Sequence, residues 1–142
     1  MINQDYGILI TVSLKSKRLK NKALLNLNGK SIIENIIDRM TKISKKNKII
    51  LITSNKKKDK QLVEIAKRKK INFFTGDSID VLYRMLCAAK KFNIRNFIST
   101  TGDNPFVDYF YAKKMIKYHL KKKFDFTEIQ GLSWGAFSYG VN

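Results

Sequence analysis

The apolar residues of this chain fall into short unbroken runs that alternate with longer stripes at helical spacing. Residues 7–14, Gly-Ile-Leu-Ile-Thr-Val-Ser-Leu, form a brief continuous run of the kind a strand buried on both faces requires. Similar runs cover 48–53, 71–74 (ending at Gly76-Asp77) and 95–100. Residues 24–28 make a shorter apolar stretch closed by a turn at Asn28-Gly29. Ser31-Ile32-Ile33-Glu34 has the form of a capping box, and Ile32, Ile33, Ile36, Ile37, Met40 and Ile43 then share one helical face. A helix over Lys56–Lys70 has a strongly basic outer side and Leu62, Val63, Ile65 and Ala66 within. Ser78 opens another helix, with Val81, Leu82, Met85, Leu86, Ala89 and Phe92 expected to face inward. Asp108 can cap a helix running to about Lys121, and 124–129 reads as a fifth strand. The tail, 131–142, mixes three glycines with Trp134, Phe137 and Tyr139, which are expected to pack in a core or interface.

Strands that alternate with helices predict an α/β domain with a mostly parallel sheet and helices against it. Ligands of such sheets bind beyond the carboxyl ends of the strands. The loops after the first, second and fourth strands are therefore where chemistry is expected. No repeat, low-complexity linker or second domain interrupts the pattern, so residues 1–142 read as one domain.

Composition changes the picture in a few respects. With 142 residues and 44% apolar content the chain can bury a core. No apolar run approaches the roughly 18 residues of a membrane helix, and residues 1–6 lack a signal-peptide pattern. A cytoplasmic protein is expected. The single cysteine, Cys87, lies on an apolar helical stretch and reads as a buried, inert thiol. The net charge of +18 suggests polyanionic partners. Only five of the 29 basic residues are arginine, however, and the lysines are spread over every helix. That distribution argues against a clustered nucleic-acid surface. The lone histidine, His119, sits near the end of the Asp108 helix, where a cation suits the dipole, and reads as structural.

Two constellations carry candidate chemistry. Ser16-Lys17-Arg18-Leu19-Lys20-Asn21-Lys22 follows the first strand directly and gathers cations at one point, as a polyphosphate needs. It has neither the glycines nor the Gly-Lys-Ser/Thr of a Walker loop. Read alone, it is equally well a solvated basic loop. Thr101-Gly102-Asp103-Asn104-Pro105 follows the fourth strand. A lone carboxylate there suits a magnesium ion that takes its remaining ligands from substrate phosphates. Read alone, Asp103 could also be a local cap in an ordinary turn.

Taken in order, these segments resemble the sugar cytidylyltransferase family, which includes CMP-Kdo synthetase, acylneuraminate cytidylyltransferase and the spore coat polysaccharide biosynthesis protein F branch, the last being most similar. The matching stretches are Ser16–Lys22, Gly29-Lys30-Ser31-Ile32-Ile33 with Arg39 beyond, Ile52-Thr53-Ser54, Asp80-Val81-Leu82-Tyr83-Arg84 and Thr101–Asp108. The resemblance implies a three-layer αβα, Rossmann-like nucleotidyltransferase (GT-A-like) fold, incomplete at its C-terminal end. It implies transfer of CMP from CTP to an acidic sugar for surface polysaccharide. Arg18 and Lys22 would bind the triphosphate, with Ser16 beside them. Asp103 would hold Mg2+. Thr53 and Ser54 would lie near the base, and Arg84 would border the pocket or make a structural ion pair. A homodimer is the assembly the family implies.

The sequence also departs from the family. Thr11-Val12-Ser13 stands where relatives carry an arginine, and Lys20-Asn21 replaces Pro-Gly. No acidic residue occupies 131–135, where some relatives have a second metal ligand. These departures keep open a degenerate or shortened relative without activity. A basic module for RNA or another polyanion is the remaining alternative.

Overall fold

The computed structural model describes residues 6–16, 18–133, 136 and 139–141. Among the described residues twelve elements carry the fold, apart from short turns of 3-10 helix. They are β1 (Tyr6–Thr11), β2 (Asn26–Leu27), β3 (Lys30–Ser31), α1 (Ile32–Met40), β4 (Ile49–Ser54), α2 (Lys60–Lys69), β5 (Asn72–Gly76), α3 (Val81–Lys91), β6 (Asn96–Thr101), α4 (Tyr109–Lys122), β7 (Phe126–Glu128) and β8 (Tyr139–Val141), with a 3-10 turn at Lys22–Leu24. One six-stranded sheet has the order β5-β4-β1-β6-β8-β7, and β2 and β3 form a separate small hairpin.

The four apolar runs of the sequence supply the parallel centre, β5-β4-β1-β6. Ile8, Leu9, Ile10 and Ile49–Ile52 are fully buried, as strands covered on both faces demand. Ile8, Ile10, Ile49, Leu51 and Ile98 face a core built with α1, α2 and α4. Leu9, Ile50 and Ile52 face the opposite side, where Ala88 of α3 closes over them with Met85, Phe92, Ile94 and Phe97. The result is a three-layer α/β nucleotidyltransferase fold. The crossovers β1 to β4 and β4 to β5 run through helices on one face, and β5 to β6 runs through α3 on the other. Strand order therefore reverses beside β1, which opens a crevice between the ends of β1 and β6.

The first helix forms as its sequence dictates. The Ser31 hydroxyl accepts from Glu34 N–H while the Glu34 carboxylate accepts from Ser31 N–H at 3.0 Å. Ile33, Ile36, Ile37 and Met40 are completely buried beneath it.

Several expectations need correction. β1 ends at Thr11, and Val12 keeps one ladder bond, its N–H donating to Ile52 O of β4 at 3.0 Å, before the chain enters the basic loop. α2 begins at Lys60, after a 3-10 turn at Lys57–Asp59. Val81, Leu82 and Leu86 do not face inward; Leu82 is 78% exposed. Ala88 and Ala89, small enough to approach the sheet, set the inner side of α3 together with Arg84. The fifth strand shortens to β7, and the tail supplies an unforeseen strand, β8, which inserts antiparallel between β6 and β7. Cys87 is half-buried rather than buried. His119 is buried against β7 and β8, its Nδ1 2.8 Å from Thr127 Oγ1, and burial pushes its pKa down against the pull of Asp125. It is thus a neutral packing residue, not a cation at a helix end. Trp134 and Phe137 lie outside the described residues. Among the described residues no helix is long and apolar enough to cross a membrane.

Candidate active site

The crevice beside β1 holds a cavity of about 330 Å³ lined by residues from three parts of the chain. Thr11, Val12, Ser13, Ser16, Lys22 and Ala23 come from the end of β1 and its loop, Val81 and Arg84 from α3, and Thr101 and Asp103 from the end of β6. The two basic and acidic constellations of the sequence meet here. Lys22 Nζ lies 3.4 Å from Asp103 Oδ2, although 81 residues separate them.

Local chemistry explains the approach. Gly102 donates its N–H to Thr11 O at 2.8 Å, extending the β1–β6 ladder by one bond. A Cβ on Gly102 would sit 2.5 Å from Val12 Cβ, so only glycine lets the carboxylate loop close on the basic loop. From the far side, Arg39 Nε of α1 donates to Val107 O at 2.8 Å and its guanidinium lies over the Tyr109 ring. The turn that carries Asp103 is therefore held at both ends. Lys22 is placed by the 3-10 turn it begins, after Asn21 adopts a left-handed φ of 53°.

Arg84 forms the α3 side of the wall. It is 3% exposed, and one guanidinium nitrogen donates to Asp77 O. Burial lowers its pKa, opposed by the negative charges of Asp59 and Asp77. An arginine stays charged under such a shift. Its Nε finds no hydrogen-bond partner among the described residues. Gly76 makes room for this side chain, since a Cβ there would lie 3.1 Å from Arg84 Cγ.

Not every candidate residue reaches the cavity. Arg18 is exposed and is not among the lining residues. Thr53 and Ser54 are fully buried at the end of β4 and do not line it either. The Ser54 hydroxyl donates to the buried Asp59 carboxylate, a partner that the sequence reading missed. The signal was present: Asp59 is the lone acid in the run Lys56-Lys57-Lys58-Asp59-Lys60.

The donor set suits a metal that arrives with its ligand. Among the described residues no group of three His, Cys, Asp or Glu side chains could cage an ion. Asp103 offers one half-exposed carboxylate, and magnesium is commonly held by one or two carboxylates plus substrate phosphates. The contact between Lys22 and Asp103 is solvent-exposed and worth about 0–1 kcal/mol, so ligand and ion can displace it readily.

A family model described as cytidylyltransferase matches residues 8–138. The chain belongs to the cytidylyltransferase family. Among the relatives of this chain, an uncharacterized protein of Methanocaldococcus jannaschii is 36% identical over 135 residues, covering 92% of this chain and 56% of its own length. The spore coat polysaccharide biosynthesis protein SpsF of Bacillus subtilis is 26% identical over 142 residues, covering 97% of this chain and 59% of its own. The solved structure of a cytidylyltransferase from Leptospira borgpetersenii serovar Hardjo-bovis superposes with a TM-score of 0.91 at 26% identity, over 97% of this chain and 60% of that one. The chain thus spans somewhat under two thirds of the length of these relatives.

Proposed function

We propose that this cytidylyltransferase-family chain binds CTP in the cavity between the ends of β1 and β6 and transfers CMP to an acidic sugar, in the cytoplasm, for surface-polysaccharide synthesis. The observation that carries the reading is the 3.4 Å approach of Lys22 to Asp103 across the mouth of that cavity. A cation for phosphate oxygens and a carboxylate for their metal are the two groups that nucleotidyl transfer requires at one point. The polysaccharide role is supported by the name of the Bacillus subtilis relative.

In this account Lys22 and Ser16 bind the phosphates, joined by Arg18 if the loop folds over a bound ligand. Arg84 supplies fixed positive charge from the cavity wall. Asp103 would hold a magnesium ion, which supplies charge neutralisation at the phosphate oxygens. Thr53 and Ser54 support the floor behind the cavity rather than touching the base. A sugar hydroxyl oxygen forms a bond to the α-phosphorus as the bond from that phosphorus to the pyrophosphate oxygen breaks. Most of the acceleration would be positioning and charge neutralisation.

A second reading, nucleotide binding without transfer, is favoured by one observation. The strand-end positions Thr11, Val12 and Ser13 line the cavity and carry no cation, and Arg84 already donates to a backbone carbonyl. Incubation with CTP, magnesium and a panel of acidic sugars, with pyrophosphate release as readout, separates the two. Release that depends on one sugar and is lost in Asp103→Ala supports transfer. CTP binding without release assigns the second reading, and absence of CTP binding removes both.

A further inference from the structure

Asp59 closes the 3-10 turn that leads into α2, and it is fully buried. A carboxyl group withdrawn from water must find hydrogen-bond partners, and this one has them. Its Oδ1 accepts from Leu14 N–H at 2.9 Å, and its Oδ2 accepts from the Ser54 hydroxyl. The neighbouring Lys58 donates Nζ to Leu14 O at 2.7 Å. Two consecutive side chains therefore hold both backbone polar groups of a single residue. Leu14, itself buried, is the point where the chain leaves the end of β1 and enters the loop that carries Ser16 and Lys22 to the cavity. The same carboxylate acts electrostatically on Arg84 across the wall.

We propose that Lys58 and Asp59 form a clamp that sets the path of this loop for triphosphate binding. The inference rests on the cytidylyltransferase reading of the cavity and adds its positioning residues. Neither side chain lines the cavity shared by Lys22 and Asp103. The loop needs such a hold because Lys15, Arg18, Lys20 and Lys22 repel one another when no anion is bound. Fixing Leu14 in advance removes part of the ordering cost that a ligand would otherwise meet. Asp59 joins three elements at once: the loop after β1, the end of β4 through Ser54, and the entry to α2. The carboxylate is therefore placed to transmit order from the core to the phosphate-facing backbone.

The test compares the wild-type chain with Asp59→Ala, Asp59→Asn and Lys58→Met by two measurements. The first is amide hydrogen exchange over residues 12–22 without ligand. The second is calorimetric titration with CTP in magnesium. Asparagine can still accept from Leu14 N–H and donate to the Ser54 oxygen, so it should restore what alanine loses. Loss of a buried hydrogen bond predicts exchange about tenfold faster in the loop of Asp59→Ala, and CTP affinity lower by a similar factor. Exchange in α4 and β6 should be unchanged, and Asp59→Asn should lie near the wild type in both measurements. Loop exchange unaltered in Asp59→Ala, or Asp59→Asn as impaired as Asp59→Ala, would overturn the clamp. Should Asp59→Ala fail to fold, Lys58→Met decides, because that side chain is exposed: faster loop exchange at an unchanged melting temperature supports the clamp, and unaltered exchange overturns it. Absence of CTP binding in a wild-type chain with a protected loop counts against the transferase reading instead.

Discussion

Lys22 and Asp103 meet at a distance that is too long, and in surroundings too wet, to stabilise the fold by much. Their value lies in what they can exchange each other for. Asp103→Asn should leave the melting temperature within about 4 °C of wild type, as an exposed pair worth about 0–1 kcal/mol allows. The same change should weaken magnesium-dependent CTP binding by about tenfold or more, a charge-assisted contact being lost. Differential scanning fluorimetry and calorimetry on one preparation check both halves. His119 makes a prediction of opposite kind. Burial holds its pKa below the ordinary 6.5, so its neutral form belongs to the folded state. The stability that it contributes is complete above pH 6.5 and declines as pH falls below that value. Thermal midpoints of the wild type should therefore drop between pH 7 and pH 5, and His119→Gln should flatten that drop. At this scale the sequence was readable where chemistry sits in a motif. Strand ends pointed to the two loops, the family resemblance singled out Ser16, Lys22 and Asp103 within them, and these three line one cavity. The hydroxyls of Thr53 and Ser54 could not be assigned, since a polar residue at a strand end can serve a ligand or a buried carboxylate equally well. The carboxylate in question, Asp59, was hidden five residues on among lysines.

The elements show the same division between local and long-range signals. The α1 capping box was legible because all its partners lie within four residues. Glu34, held at a pKa of about 2 by its hydrogen bonds from Ser31 and helped by Arg68 against the effect of burial, now gives that motif a pH signature. Its contribution is whole above about pH 4.5 and is lost as pH falls toward 2. Glu34→Gln should remove that part of the acid-unfolding curve. The orientation of α3 was not legible. Its large apolar residues, Leu82 and Leu86, mark one stripe, while the sheet accepts the other, where Ala88 and Ala89 permit close approach. The phase of a helix with apolar residues on both sides is fixed by what it packs on, and the sequence does not print that. Two substitutions test this assignment by chemical denaturation. Leu82→Ser should change stability by less than about 0.5 kcal/mol, as exposed sites do. Ile36→Ala, in the sealed core beneath α1, should cost about 2–5 kcal/mol. The strand β8 was missed for a related reason: three residues containing a glycine carry too little periodicity to be seen, and their pairing with β6 and β7 is long-range.

For the molecule as a whole, the parallel centre of the sheet does most to create function. Reversal of strand order beside β1 brings a basic loop from the start of the chain against an acidic turn some 80 residues later. The +18 charge is a separate property, since of the 29 basic residues only Lys22 and Arg84 are among those lining the cavity. It predicts weak binding of RNA that collapses with salt, by roughly a thousandfold between 50 and 200 mM if several phosphates are contacted. Filter binding over that salt range checks it. The central claim, that the β1 loop and Asp103 share one nucleoside triphosphate, is tested most directly by calorimetric titration of CTP into the wild type and Asp103→Ala at fixed magnesium. The account predicts saturable one-site binding that requires magnesium, prefers CTP to other nucleoside triphosphates and weakens about tenfold or more in the variant. Binding that ignores both the metal and Asp103, or that fails to distinguish CTP from other triphosphates, would contradict it.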